Sequence, residues 1–205
     1  FQADSYSVAL TVAHAVGTAP NWLAKAMNDR GPTYLDDDDS GSGKSDKTAL
    51  STRLSLLKQY LVTETPVHDH AKVMKLIVAS EWPEIMKDRE KSDILNMIVR
   101  HQRSDGGWCA RDFVRDNSVW TPEGVVVEVK NRQSGGYMTG MAATALLLHH
   151  AKSSESNRGL EWLMENQRRD GWWWTQSITR DPHRFLVYTG SCYAYLALGL
   201  GGKLP

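Results

Sequence analysis

The 205-residue chain has little of several features that would single out a function. It holds only two cysteines, Cys109 and Cys192, far apart and in no CxxC or CxxCH arrangement, which excludes a zinc ribbon and attached c-type haem. Two such residues fit free thiols or one bridge equally well. Charge of one sign is also lacking: 24 Lys plus Arg stand against 24 Asp plus Glu, so no overall field gathers nucleic acid or an anionic membrane. A nucleic-acid partner is not expected. No apolar run approaches the roughly 20 residues that span a bilayer, the richest being Met141–Leu148, and no transmembrane segment is expected. The chain opens on Phe1 and closes with Gly201-Gly202-Lys203-Leu204-Pro205 just after an apolar stretch. That pattern is expected of a processed or partial piece, from which a targeting signal would have been lost. The length suits a single domain, residues 1–205, with one core.

What is present is a repeated phrase. Gln102-Arg-Ser-Asp105-Gly106-Gly107-Trp108 and Gln167-Arg-Arg-Asp170-Gly171-Trp172-Trp173 both place Trp six residues after Gln, with Asp-Gly at the same place between them. A helix-periodic segment precedes each; Leu160, Leu163 and Met164 recur before Gln167. The Gln therefore falls near a helix C-terminus and Asp-Gly supplies the turn that ends it. Gln102 and Gln167 can then offer their amides to backbone groups left unpaired at helix ends while stacking on Trp108 and Trp173, tying one hairpin to the next.

Extended backwards, the second copy reads Arg158-Gly159-x-x-Trp162-Leu163-x-x-x-Gln167-x-x-x-Gly171-x-Trp173. This resembles the complete QW motif of the squalene- and oxidosqualene-cyclase family. The first copy keeps only the Gln-to-Trp half, since Asp93, Ile94 and Met97 stand where the basic residue, glycine and aromatic would be. The resemblance covers Ser92–Leu200 and implies an all-α fold, an α/α toroid of helical hairpins or an open segment of one, similar to the C-terminal part of squalene-hopene cyclases. It marks Gln102, Asp105, Gly107, Trp108, Arg158, Gly159, Trp162, Gln167, Asp170, Gly171 and Trp173 as structural clasps.

The remaining periodicity fits about eight helices. Tyr137–His149 and Val187–Leu198 are rich in small residues and apolar on nearly all faces, as helices surrounded by others should be. Asp4–His14, stopped by Gly17 and Pro20, and the leucine-rich Thr48–Val62 join them as expected inner helices. The more amphipathic Asn21–Asn28, Val67–Ala79, Ser92–Gln102 and Asn157–Gln167 are expected outside. Residues 36–47, four aspartates followed by Ser-Gly-Ser-Gly-Lys-Ser, form an expected flexible loop; residues 117–134 form a long connection around Val125–Val129 with room for a short β-hairpin.

Candidate chemistry is sparse. Asp36–Asp39 contains Asp-x-Asp-Asp, which class II terpene cyclases resembling this chain use to protonate a double bond, making Asp38 and Asp39 the catalytic candidates. That chemistry needs a protonated carboxyl on a dry cavity wall, and a run followed by Gly and Ser favours a solvated loop instead. Gly41-Ser-Gly43-Lys44-Ser45 imitates the end of a P-loop, but Asp38 occupies the first glycine position and no strand precedes it. His68-Asp69-His70 and His149-His150 are the close histidine pairs; adjacent helical residues diverge by about 100° and suit shared ligation poorly. The Asp-x-Cys pair of the related prenyltransferase β subunits and the Gly-Cys-Gly-Glu-Gln of complement-type thioester domains are both absent. No metal and no cofactor is expected, and Cys192 reads as a small buried side chain. Tyr6, Tyr137, Tyr188, Tyr193 and Tyr195, with Trp172–Trp174, could line a carbocation-stabilising cavity, though packing between helices is the simpler reading. Two functions follow from the resemblance. One is a non-catalytic binding or scaffolding toroid whose partner is another protein chain or an apolar isoprenoid ligand; the other is a fragment of a metal-independent triterpene cyclase.

Overall fold

The computed structural model describes residues 5–19, 47–114, 132–150, 153–176 and 185–204. Among these the chain is all-helical, with seven α-helices: α1 (Ser5–Gly17), α2 (Lys47–Thr63), α3 (Asp69–Val78), α4 (Asp88–Arg100), α5 (Gly136–His150), α6 (Ser154–Glu165) and α7 (Phe185–Leu200). Short 3-10 turns at Pro83–Ile85 and Ala110–Phe113 follow α3 and α4. The expected helix at Asn21–Asn28, the acidic run and the Val125–Val129 stretch lie outside the described residues.

The helices form two rows. α1 packs on α3, α3 on α5, and α5 on α7, while α2, α4 and α6 lie along the other side. Small residues set the closest approach, at α5 and α7: a Cβ on Gly140 would stand 2.5 Å from the Ala194 amide nitrogen, and one on Gly190 2.9 Å from that of Tyr137. Because residue numbers rise together along both helices, the two run parallel. The pairs His70–Tyr137 and Leu76–His149 give the same sense for α3 and α5. A parallel row needs a return helix between neighbours, which α4 and α6 provide.

Two assignments differ from the sequence reading. α2 stands outside the row of α1, α3, α5 and α7, touching α1 and the Pro83–Ile85 turn. α3 belongs to the inner row, with eight of its ten residues buried. Leucine content made α2 look interior, whereas α3 hides its polar groups through partners. His70 meets the Tyr137 hydroxyl at 2.7 Å, and Lys75 reaches Glu90 on α4 at 2.8 Å. A buried polar group with a partner avoids the desolvation penalty that excludes a bare one.

Local signals explain the ends that position the repeated turns. Ser153 caps α6, accepting from the Ser156 amide at 3.1 Å, while its own amide donates to Ser156 Oγ at 3.0 Å; such reciprocal capping is worth about 1 kcal/mol. α7 ends on Gly202 at φ +65°, with the Lys203 amide reaching back to the Leu198 carbonyl at 2.8 Å, a left-handed stop that suits glycine.

Candidate functional site

The two Gln-to-Trp turns adopt one geometry. In the first, the Gly106 amide donates to Arg103 O at 3.0 Å and the Arg103 amide to Gly107 O at 3.0 Å; in the second, the matching bonds are Gly171 to Arg168 O and Arg168 to Trp172 O, both 2.9 Å. Gly106 and Gly171 carry φ of +88° and +89°, values that disfavour a side chain. The glycine equivalent to Gly171 is therefore Gly106, not Gly107, which occupies the place of Trp172.

Both indoles are fully buried. Trp108 Nε1 donates to Ile98 O at 2.8 Å and Trp173 Nε1 to Leu163 O at 2.6 Å. Each tryptophan thus satisfies a carbonyl in the last turn of the helix before it, one of the four acceptors a helix leaves open. That task belongs to the indoles rather than to the glutamines. Gln102 and Gln167 instead bridge their own turns, donating to Gly106 O at 2.8 Å and Gly171 O at 3.1 Å. Each turn is also tied to the next inner helix: the Trp108 amide donates to Thr139 Oγ1 at 3.0 Å and the Trp173 amide to Ser191 Oγ at 3.3 Å.

Across the α4–α6 junction the first turn meets the opening of α6. Gln102 Nε2 donates to Glu155 O at 2.8 Å, and its Oε1 accepts from Arg158. Asp105 accepts from Trp162 Nε1 at 3.3 Å, from Ser134 Oγ at 2.8 Å and from the Gly107 amide at 3.1 Å. The Trp108 ring lies so close to Gly159 that a Cβ there would come within 2.7 Å of Cζ3. Six of the sequence-marked residues, Gln102, Asp105, Trp108, Arg158, Gly159 and Trp162, are thereby brought into one contact, which closes this junction.

The other two positions are different. Between the α2–α3 turn and α4, where Asp93, Ile94 and Met97 replace Arg, Gly and Trp, a groove of about 600 Å³ is lined by Pro66, Ile94 and Met97 and rimmed by Lys87, Arg89 and Asp93 among others. Beyond α6, the second turn has no following Arg-Gly-x-x-Trp among the described residues. Gln167 gives its second amide hydrogen to Tyr195 Oη at 3.1 Å on α7, and Tyr195 in turn donates to Gly171 O at 3.0 Å. Gln167 Oε1 and the exposed Asp170 carboxylate have no partner among the described residues. Arg168 lies over the Trp172 ring at 5.5 Å.

The remaining candidates are dispersed. Tyr6 is buried and donates to Leu61 O at 2.8 Å; Tyr188 is exposed; Tyr195 belongs to the second turn. Tyr137 and Tyr193 meet edge to face with centroids 5.8 Å apart, and Tyr137 also stacks on His70. Burial holds the His70 imidazole down to about 3 and pushes the Tyr193 phenol up to about 12 and that of Tyr137 well above its usual range. The His149 ring donates to Leu76 O at 2.7 Å. Among the described residues no cluster of three or more His, Cys, Asp or Glu is placed to hold a metal, and no helix is long and apolar enough to cross a membrane. Both cysteines are free. Cys109 is buried, and burial raises its thiol; Cys192 is exposed, contrary to the sequence expectation, because the described residues cover only part of the surface of α7. Asp38 and Asp39 lie outside the described residues. Comparisons with protein-family models, curated proteins and solved structures found no match.

Proposed function

We propose that this chain is a segment of a squalene-cyclase-like α/α toroid that acts as a non-catalytic binding or scaffolding module in a larger protein or assembly. The closed α4–α6 junction carries this reading. Its polar groups are engaged in holding hairpin to hairpin, and its Trp108 indole is buried against the end of α4. A reacting group needs an unengaged acid, base or nucleophile facing a substrate-sized space, whereas the Gln and Trp side chains here are occupied as fasteners. The parallel inner row and the return helices supply the hairpin alternation on which a toroid is built.

The test is chemical. The 205-residue chain is incubated with squalene and with 2,3-oxidosqualene beside an Asp38→Asn/Asp39→Asn variant, and lipid extracts are resolved by gas chromatography and mass spectrometry. The proposal expects unchanged substrate and no cyclised product from either. A cyclised product made by the parent and missing from the variant refutes it in favour of a triterpene cyclase.

A further inference from the structure

The groove beside α4 carries charges that its own ion pairs leave unbalanced. Glu90, Asp93, Ile94, Met97 and Arg100 recur at three- and four-residue spacing, so one face of α4 forms a wall of it. Pro66, from the α2–α3 turn, joins Ile94 and Met97 as the apolar lining. Around the rim Lys72 is held by Asp69 at 2.6 Å, and Glu90 is taken by Lys75 at 2.8 Å. Lys87, Arg89 and Arg100 make no ion pair among the described residues, and Asp93 is the rim carboxylate left over. These four side chains are all exposed. The free cations stand at both ends of the groove: Lys87 and Arg89 flank the start of α4, and Arg100 is its last residue, about 20 Å away at about 1.5 Å per residue.

We propose that this groove binds an extended acidic peptide of a partner protein, with carboxylates at the two cationic ends and apolar side chains over Ile94 and Met97 between them. Extended backbone advances about 3.3 Å per residue and turns every second side chain to one face. About seven residues therefore reach from Lys87 to Arg100, offering the groove an acid, two apolar groups and a second acid. Basic clusters are a recurrent means of holding acidic motifs, and the guanidinium groups of Arg89 and Arg100 can each grip a carboxylate through two N–H groups. An open groove suits a peptide better than a small apolar molecule, whose sites enclose about 70–90% of what they hold. Charge selects the acidic peptide, since three free cations, Lys87, Arg89 and Arg100, stand against the single free anion Asp93. The proposal rests on the binding-module reading and gives its protein partner a chemistry. Peptide binding and cyclised product are separate readouts, so either reading can fail without the other.

The experiment titrates the full chain into the probe fluorescein-Gly-Gly-Glu-Ser-Leu-Thr-Leu-Ser-Glu-amide, which sets both glutamates and both leucines on one face, and follows fluorescence anisotropy. Saturable binding is expected, weakening as salt rises from about 0.05 to 0.5 M. Arg89→Glu and Arg100→Glu should each raise Kd about fivefold, whereas Asp93→Asn, which removes the opposing charge, should lower it about twofold. The three substituted side chains are exposed, and near-ultraviolet circular dichroism checks that each variant keeps the parent fold. A probe with Lys for both Glu, or with Ser for both Leu, should bind at least about tenfold more weakly. Absence of saturable binding overturns the proposal. So does binding indifferent to all three substitutions, which places the peptide elsewhere. Dodecanoate that binds more tightly than the probe, with the same dependence on the substitutions, would assign the groove to an amphiphilic anion instead. A dimer of the unliganded chain that Arg89→Glu dissociates would assign it to a second copy.

Discussion

Gly159→Ala tests the closed junction most directly because two effects of opposite sign compete there. In a helix interior the change from Gly to Ala ordinarily gains up to about 1 kcal/mol. At Gly159 the new methyl would come 2.7 Å from Trp108 Cζ3, nearly 1 Å inside the normal carbon–carbon separation of about 3.5 Å. The indole cannot retreat easily, being fully buried and tied through Nε1 to Ile98 O at 2.8 Å. Overpacking of this kind costs about 1–3 kcal/mol, so the net expectation is a loss of about 1–2 kcal/mol. In a chain of this size that lowers the melting temperature by about 2–8 °C. Gly199→Ala on α7 is the control: its methyl would find only Leu204 Cδ1 at 3.6 Å, an ordinary contact, and a gain of a few tenths to about 1 kcal/mol follows. Differential scanning calorimetry of the two variants should therefore show shifts of opposite sign. If Gly159→Ala holds or raises the melting temperature, Trp108 is not seated on α6 and the closed junction is wrong.

Three further outcomes are expected. A double-mutant cycle of Gln102→Ala and Arg158→Ala, measured by urea denaturation, should give a coupling of about 0.5–1 kcal/mol, modest because Arg158 is exposed; zero coupling would remove that bond from the junction. His70, held from 6.5 down to about 3 by burial, binds a proton less readily in the folded than in the unfolded state. Its contribution is therefore complete above pH 6.5 and is lost at about 1.4 kcal/mol per pH unit as pH falls towards 3. The difference in unfolding free energy between parent and His70→Gln across pH 7 to 4 isolates that slope from the carboxylates, and parallel curves would contradict it. Ellman's reagent should label Cys192 in the native chain and Cys109 only on unfolding, since the latter is buried with its thiol raised; equal native rates would show that Cys109 is not buried.

The helical class, the positions of the turns and the residues that define them were legible because each is written in a short window: Gln, then Asp-Gly, then Trp. Which residues meet across the junction was not, since Gln102 and Arg158 are 56 positions apart and no local pattern encodes that pairing. The exchange of α2 and α3 between rows has a related cause. Hydrophobic content ranks Leu50–Leu61 above a stretch containing His68, His70, Lys72 and Lys75, but burial follows whether a polar group finds a partner, and His70 and Lys75 find theirs on other helices. The outward position of Cys192 was hidden in the same way: α7 is apolar enough for an interior helix, and only its neighbours decide which faces are covered.

The groove between the α2–α3 turn and α4 bears on how the chain comes apart. In stacked repeats, stability is a sum of each unit's own propensity and the coupling to its neighbours. Here the coupling is uneven: α4 and α6 are bolted by Gln102, Asp105 and Trp108, while the preceding boundary has an open groove lined by Ile94 and Met97 in the equivalent place. Thermal opening should therefore begin on the amino-terminal side of that groove, with α4 to α7 the last helices to separate.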